Sequence, residues 1–146
     1  MKKVNYEVFV SLEVAKLLKK AGFDWEICDG YIIYEDDGGF TTEFQTPHNF
    51  NGDNGGLFID YRGHKEVLSR PTLSVAQRWL REVKNISVDI SSTCYSKWEY
   101  VIRKINQLDH KDNTILVLTS CGFYTYEETK EAGIKKALEL ILEKGE

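Results

Sequence analysis

The residues of this chain whose types and spacing best suit chemistry are basic ones. Ser74, Gln77, Arg78, Arg81 and Lys84 recur at intervals of three and four, which places them on one face of a helix. Arg62, Lys65 and Arg70 lie just upstream and can join them. Guanidinium groups grip carboxylates and phosphates through paired hydrogen bonds, so such a face suits a carboxylate-rich protein or the phosphates of a nucleic-acid complex. The plainer alternative is a solvated helix face, partly neutralised by Glu82. The binding residues expected from the pattern are Arg70, Arg78, Arg81 and Lys84. A protein partner comes first and nucleic acid second. The one nearby aromatic, Trp79, falls on the opposite, core side, so the face lacks the stacking platform that nucleic-acid sites use.

This basic stretch ends an abrupt charge step. From Ala21 to Tyr61 there are nine carboxylates and no lysine or arginine, whereas Arg62 to Lys84 carries six basic residues against two glutamates. Opposite charges in adjoining segments either pair across a fold or aim two faces at different partners. Nine of the aromatics interleave with the acidic residues, which marks that segment as folded and not as an acidic tail.

Other chemistry has weaker anchors. His48, His64 and His110 are isolated and fall in expected loops, with no H-x-x-x-H pair for zinc. Cys121 can be paired on paper with His48 or His64, but it ends an apolar run, where an inert thiol is the commoner case. The stretch from Asn49 to Asp60 spaces oxygen ligands somewhat like a calcium loop, with its turn glycine displaced by Asn54. No G-x-x-x-x-G-K, G-x-G-x-x-G or G-x-S-x-G occurs. No cofactor, metal or catalytic residue is therefore assigned. A non-enzymatic binding module is the leading expectation. The alternative is a small hydrolase or transferase with a site near residues 45–64, and a structural role through homodimerisation is a third reading.

The scaffold that must position these residues is legible in outline. At 146 residues with 42% hydrophobic and 29% charged composition, the chain has the size and make-up of one globular domain. A net charge of -4 argues against non-specific DNA binding by the whole surface. Three cysteines without C-x-x-C spacing read as free thiols. With no apolar run near the length of a membrane span and no signal-peptide pattern, the chain is expected to be cytoplasmic and untethered.

Ser11 is expected to cap a first helix with Val14, Leu17, Leu18 and Ala21 inward and Gly22 as its stop. Residues 31–34 and 40–44 should form a β-hairpin, and Leu57 to Tyr61 a further short strand. Thr72 should cap a second helix with core face Val75, Ala76, Trp79, Leu80 and Val83, ending at Asn85. Runs at 86–90, 97–105 and 115–119 predict a three-stranded meander. Thr125 and Glu128 make a capping box for a last helix that buries Ile134, Ala137, Leu138 and Ile141. Antiparallel strands interspersed with helices predict a single α+β domain, a hairpin plus a three-stranded meander packed with about three helices.

Three blocks in combination carry a resemblance: SLEVAKLLKKAGFD (11–24), SRPTLSVAQRWLREVKNISVDIS (69–91) and CGFYTYEETKEAGIKKALELIL (121–142). Together they resemble a group of short uncharacterised proteins common in gut Bacteroidales genomes and in their prophages and phages. The R-P-T…A-Q-x-W-L-R-E stretch is the most specific part. The resemblance implies a small, phage-associated accessory protein that acts by binding.

Overall fold

The computed structural model describes residues 8–34, 39–52, 64–93, 97–105, 114–118, 122–123 and 125–144. Its class is α+β, as the strand and helix patterns predict. Among the described residues three helices accompany two three-stranded antiparallel sheets. The chain divides into two compact units, one of Phe9–Pro71 and one of Thr72–Glu146 with Met1–Val8. The hairpin and the meander thus belong to separate sheets.

The first unit begins with helix α1 (Leu12–Ala21). Ser11 accepts a hydrogen bond from the Val14 N–H, and Gly22 closes the helix at φ 95°. That left-handed turn suits glycine, and it lets the backbone N–H reach back to the Leu18 and Lys19 carbonyls. Strands β1 (Ile27–Tyr34), β2 (Phe40–His48) and β3 (His64–Ser69) follow, in the order β2-β1-β3. Charged residues open β3, which leaves Val67 and Leu68 as its apolar pair. Two apolar residues are too few to register as a strand pattern, so the sequence reading takes this stretch as part of the basic segment. The strand expected at Leu57 to Tyr61 lies outside the described residues.

Ile32, Phe50 and Val67 form a buried cluster in this unit. Gly30 makes it possible: a Cβ there would stand 2.6 Å from Phe50 Cδ1, closer than packed carbons tolerate. Asn51 ties the same region together. Its amide donates to the Phe23 carbonyl at 2.9 Å and its Oδ1 accepts from the Ser69 N–H at 2.9 Å. Backbone satisfaction therefore accounts for this member of the calcium-like loop. The loop's remainder, from Asp53 onward, lies outside the described residues.

The second unit holds helix α2 (Leu73–Val83), strands β4 (Ile86–Ser92), β5 (Trp98–Lys104) and β6 (Thr114–Leu118), and helix α3 (Tyr126–Glu143). The meander runs β4-β5-β6, with Ile86 opposite Lys104 and Ile102 opposite Val117. Thr72 caps α2 through the Val75 N–H, and Thr125 caps α3 through the Glu128 N–H. Asn85 ends α2 at φ 57°, a conformation asparagine tolerates better than most residues. The expected inner face of α3, Ile134, Ala137, Leu138 and Ile141, is buried. Gly133 shares that face. A Cβ there would come within 2.6 Å of Val88 Cγ1 and 3.1 Å of Tyr100 Cγ, so its absence lets α3 lie close on β4 and β5.

Two outcomes test this packing. Gly30→Ala should cost about 1–3 kcal/mol in urea unfolding, because the stiff strand and the buried Phe50 ring leave little room to relax. Burial, reinforced by the Glu139 charge, raises the Tyr100 pKa. The sign follows from linkage. Above about pH 10 an unfolded tyrosine ionises while the buried one resists, so stability declines as pH rises from there through the folded-state value. Tyr100→Phe should flatten that alkaline decline, read as the change in urea midpoint between about pH 8 and pH 11.

Candidate functional site

The four residues expected to bind are divided between the two units. Arg70 belongs to the first unit and is engaged there. Its Nη1 lies 3.6 Å from Asp29 Oδ1, and its guanidinium sits 4.0 Å from the Phe9 ring centroid and 5.3 Å from that of Tyr31. Salt bridge and rings together make Arg70 a packing and pairing residue of that sheet. One positive charge beyond the step thus meets a carboxylate of the acidic segment. Glu66, within the basic segment, is 3.4 Å from Lys19 of α1.

Arg78, Arg81 and Lys84 are on α2, where the predicted single face separates into stripes. Leu73, Ala76, Trp79 and Leu80 are buried, whereas Val83, expected in the core, is 46% exposed. The cause is that α2 packs on both β4 and α3, so its covered arc is wide and rotated relative to one set by apolar residues alone. Gln77 falls on the covered side, and its Nε2 donates to the Val88 carbonyl of β4 at 2.6 Å. Ser74 stays exposed, and its Oγ accepts a 2.8 Å hydrogen bond from Lys130 Nζ of α3. That leaves Arg78 and Arg81 pointing outward. Arg78 Nε pairs with Glu82 Oε1 at 2.8 Å, one turn on, and this hydrogen bond with its charge raises the guanidinium pKa. Arg81 makes no ion pair among the described residues.

Lys84 goes elsewhere. Seven residues after Gln77, it returns to nearly the same angular position, since a heptad drifts only about 20° around a helix. It therefore lies along the covered edge of α2, with Nζ 5.7 Å from the Trp79 ring centroid. There it lines a small cleft with Lys104, the last residue of β5, and Lys144, the cap of α3. Ile86, Leu116, Leu140 and Ile141 supply the cleft's apolar lining, and no carboxylate is among the described residues that line it. At about 30 Å³ the cleft takes little more than one water or the tip of a side chain. It is a notch for a surface to press into and not a chamber for a cofactor.

Charge at the ends of two helices explains part of this cluster. Lys84 and Lys144 cap α2 and α3, where the helix dipole favours cations. Lys104 ends a strand and has no such reason to be there. Lys104 and Lys144 escape a reading of the sequence because 20 and 60 positions separate them from Lys84, and only strand pairing and helix packing unite them. The one local signal is a basic residue at the end of each element. Of the alternative site near 45–64, His48 packs edge-on against Phe50 with ring centroids 5.3 Å apart. Residues 53–63, the His64 side chain, His110, Cys94 and Cys121 lie outside what the structure describes.

No family model, curated protein or solved structure matches the chain. Among the described residues no helix is long and apolar enough to cross a membrane.

Gathering three lysines around one cleft has a measurable consequence. Lys104→Gln relieves like-charge repulsion, so it should raise the thermal midpoint slightly at low salt. The gain should fade as the screening length shrinks from about 10 Å at 0.1 M to about 3 Å at 1 M salt. An Arg81→Gln control, farther from the cleft, should move less.

Proposed function

We propose that this chain is a binding protein that receives an acidic, partly apolar stretch of a protein partner on the lysine-lined end of its second unit. The supporting observation is the cleft itself. Three lysines from three different elements surround an apolar lining that holds no carboxylate among the described residues. Apolar contact supplies affinity at such a surface, and the ammonium groups select for acidic partners and speed encounter. Arg81, exposed and one turn before Lys84, extends the positive rim. The notch is too small to enclose a metabolite, which favours a macromolecular ligand over a small one. A protein is favoured over nucleic acid because the cleft lining holds aliphatic side chains and no aromatic ring for bases to stack on. A small accessory role is also what the resemblance to phage-associated proteins implies.

A labelled peptide alternating glutamate with leucine, titrated by fluorescence anisotropy, tests this reading against a DNA duplex of equal charge. The peptide should bind more tightly, and its affinity should fall with salt. Combined Lys84→Glu and Lys104→Glu should weaken it at least about tenfold, a loss of about 1.4 kcal/mol, while Arg78→Glu leaves it nearly unchanged. Equal peptide affinity in the folded double variant removes this surface, and preferential duplex binding replaces the protein partner with nucleic acid.

A further inference from the structure

The opposite ends of the same two helices carry a different arrangement. A pocket of about 180 Å³ is lined by Val8, Thr72, Leu73, Ser74, Tyr126, Glu127 and Lys130. Lys130 is buried to 7% exposure, yet it reaches Ser74 Oγ at 2.8 Å. Ser74 itself is exposed. A solvent-facing hydroxyl backed by a buried amine within hydrogen-bond reach is the geometry of a nucleophile and its base. We propose that Ser74 is a nucleophile toward small activated acyl esters, with Lys130 as its general base.

The backbone supplies the third component. In the first turn of α2 the Leu73 N–H donates to the Val8 carbonyl at 2.8 Å, the Val75 N–H to Thr72 Oγ1 at 3.2 Å, and the Ala76 N–H to the Thr72 carbonyl at 3.0 Å. The Ser74 N–H is left without a partner among the described residues. An N–H on the nucleophile's own residue, at a helix N-terminus and without a described partner, is suited to donate to the developing oxyanion. Burial lowers the Lys130 pKa, and attraction to Glu127 partly offsets this. Among the described residues Glu127 and the Tyr126 phenol are the other ionisable groups lining the pocket, and α2 presents only hydroxyls and aliphatic groups there. A lysine so placed gives up its proton more readily than one in water, as a base must.

The step balances without any co-reactant except water. With Lys130 charged, Nζ donates to Oγ; with it neutral, the same separation lets Oγ–H donate to Nζ. Oγ attacks the acyl carbon as its proton passes to Nζ, and the carbonyl oxygen becomes an oxyanion facing the Ser74 N–H. Collapse breaks the bond to the leaving oxygen, which takes the proton from Lys130. Water then attacks the acyl-serine, gives a proton to Lys130, and releases the acid as Oγ recovers that proton. The pocket's volume limits the acyl group to a few carbons.

The full chain treated with p-nitrophenyl acetate and, separately, with a fluorophosphonate probe provides the test, read by intact mass and peptide mapping. One adduct is expected, on Ser74. Its rate should rise with pH through a midpoint below the ordinary lysine value of about 10.4. Ser74→Ala, at an exposed position, should fold and lose the adduct. Lys130→Met should slow labelling by about 100-fold or more while circular dichroism stays native. The absence of a Ser74 adduct on the folded wild-type chain overturns the proposal, whether or not the Lys130 variant folds. An adduct on Lys130, or undiminished labelling of folded Lys130→Met, also overturns it.

Discussion

The close seat of α3 on the meander is the constraint from which the rest of the second unit follows. Gly133 costs the helix about 1 kcal/mol in propensity relative to alanine, but it brings the α3 backbone down onto Val88 and Tyr100. That approach sets the depth and rotation of the whole helix. With α3 so placed, its first turns meet those of α2 at Ser74 and Lys130, and its last turn meets Lys84 beside Leu140. Both pairs are separated by 56 positions in the sequence. The two helices therefore run parallel and in register, with their N-termini at one pocket and their C-termini at the other.

Parallel packing has an electrostatic consequence. The unsatisfied N–H groups of both helices gather at one end and the unsatisfied carbonyls at the other. The C-terminal end answers with Lys84 and Lys144, to which the β5 terminus adds Lys104. The N-terminal end answers with side-chain caps from Thr72 and Thr125 and with Glu127 in the first turn of α3. A buried amine at this positive end runs against the dipole as well as against desolvation, which makes Lys130 a costly residue to keep. Its bond to Ser74 offsets part of that cost.

Much of the local structure was readable because it depends on near neighbours. Caps at Ser11, Thr72 and Thr125, stops at Gly22 and Asn85, the hairpin of residues 31–34 and 40–44 and the meander all rest on contacts within a few residues or on hydrophobic period. The α2 face was harder. Spacing assigned Ser74, Gln77, Arg78, Arg81 and Lys84 to one exposed side, but α2 is covered from two directions, so Gln77 turns to β4 and Ser74 to α3. Strand β3 was hidden by its charged opening, since its stability comes from pairing along β1 and not from its own apolar pattern.

The amino-acid sequence by itself determined the α+β class, the helices and their caps, and the charge step at Arg62, because composition, period and capping act locally. Tertiary structure alone decided what that step does. Arg70 is held by Asp29 and two aromatic rings, Arg78 is held by Glu82, and Lys84 is carried to Lys104 and Lys144. The same packing brought Lys130 to Ser74 across 56 positions. Helix spacing reports which residues share a side of one helix, but a site needs side chains from several elements. Their meeting depends on crossing, register and depth of packing, which no local pattern encodes.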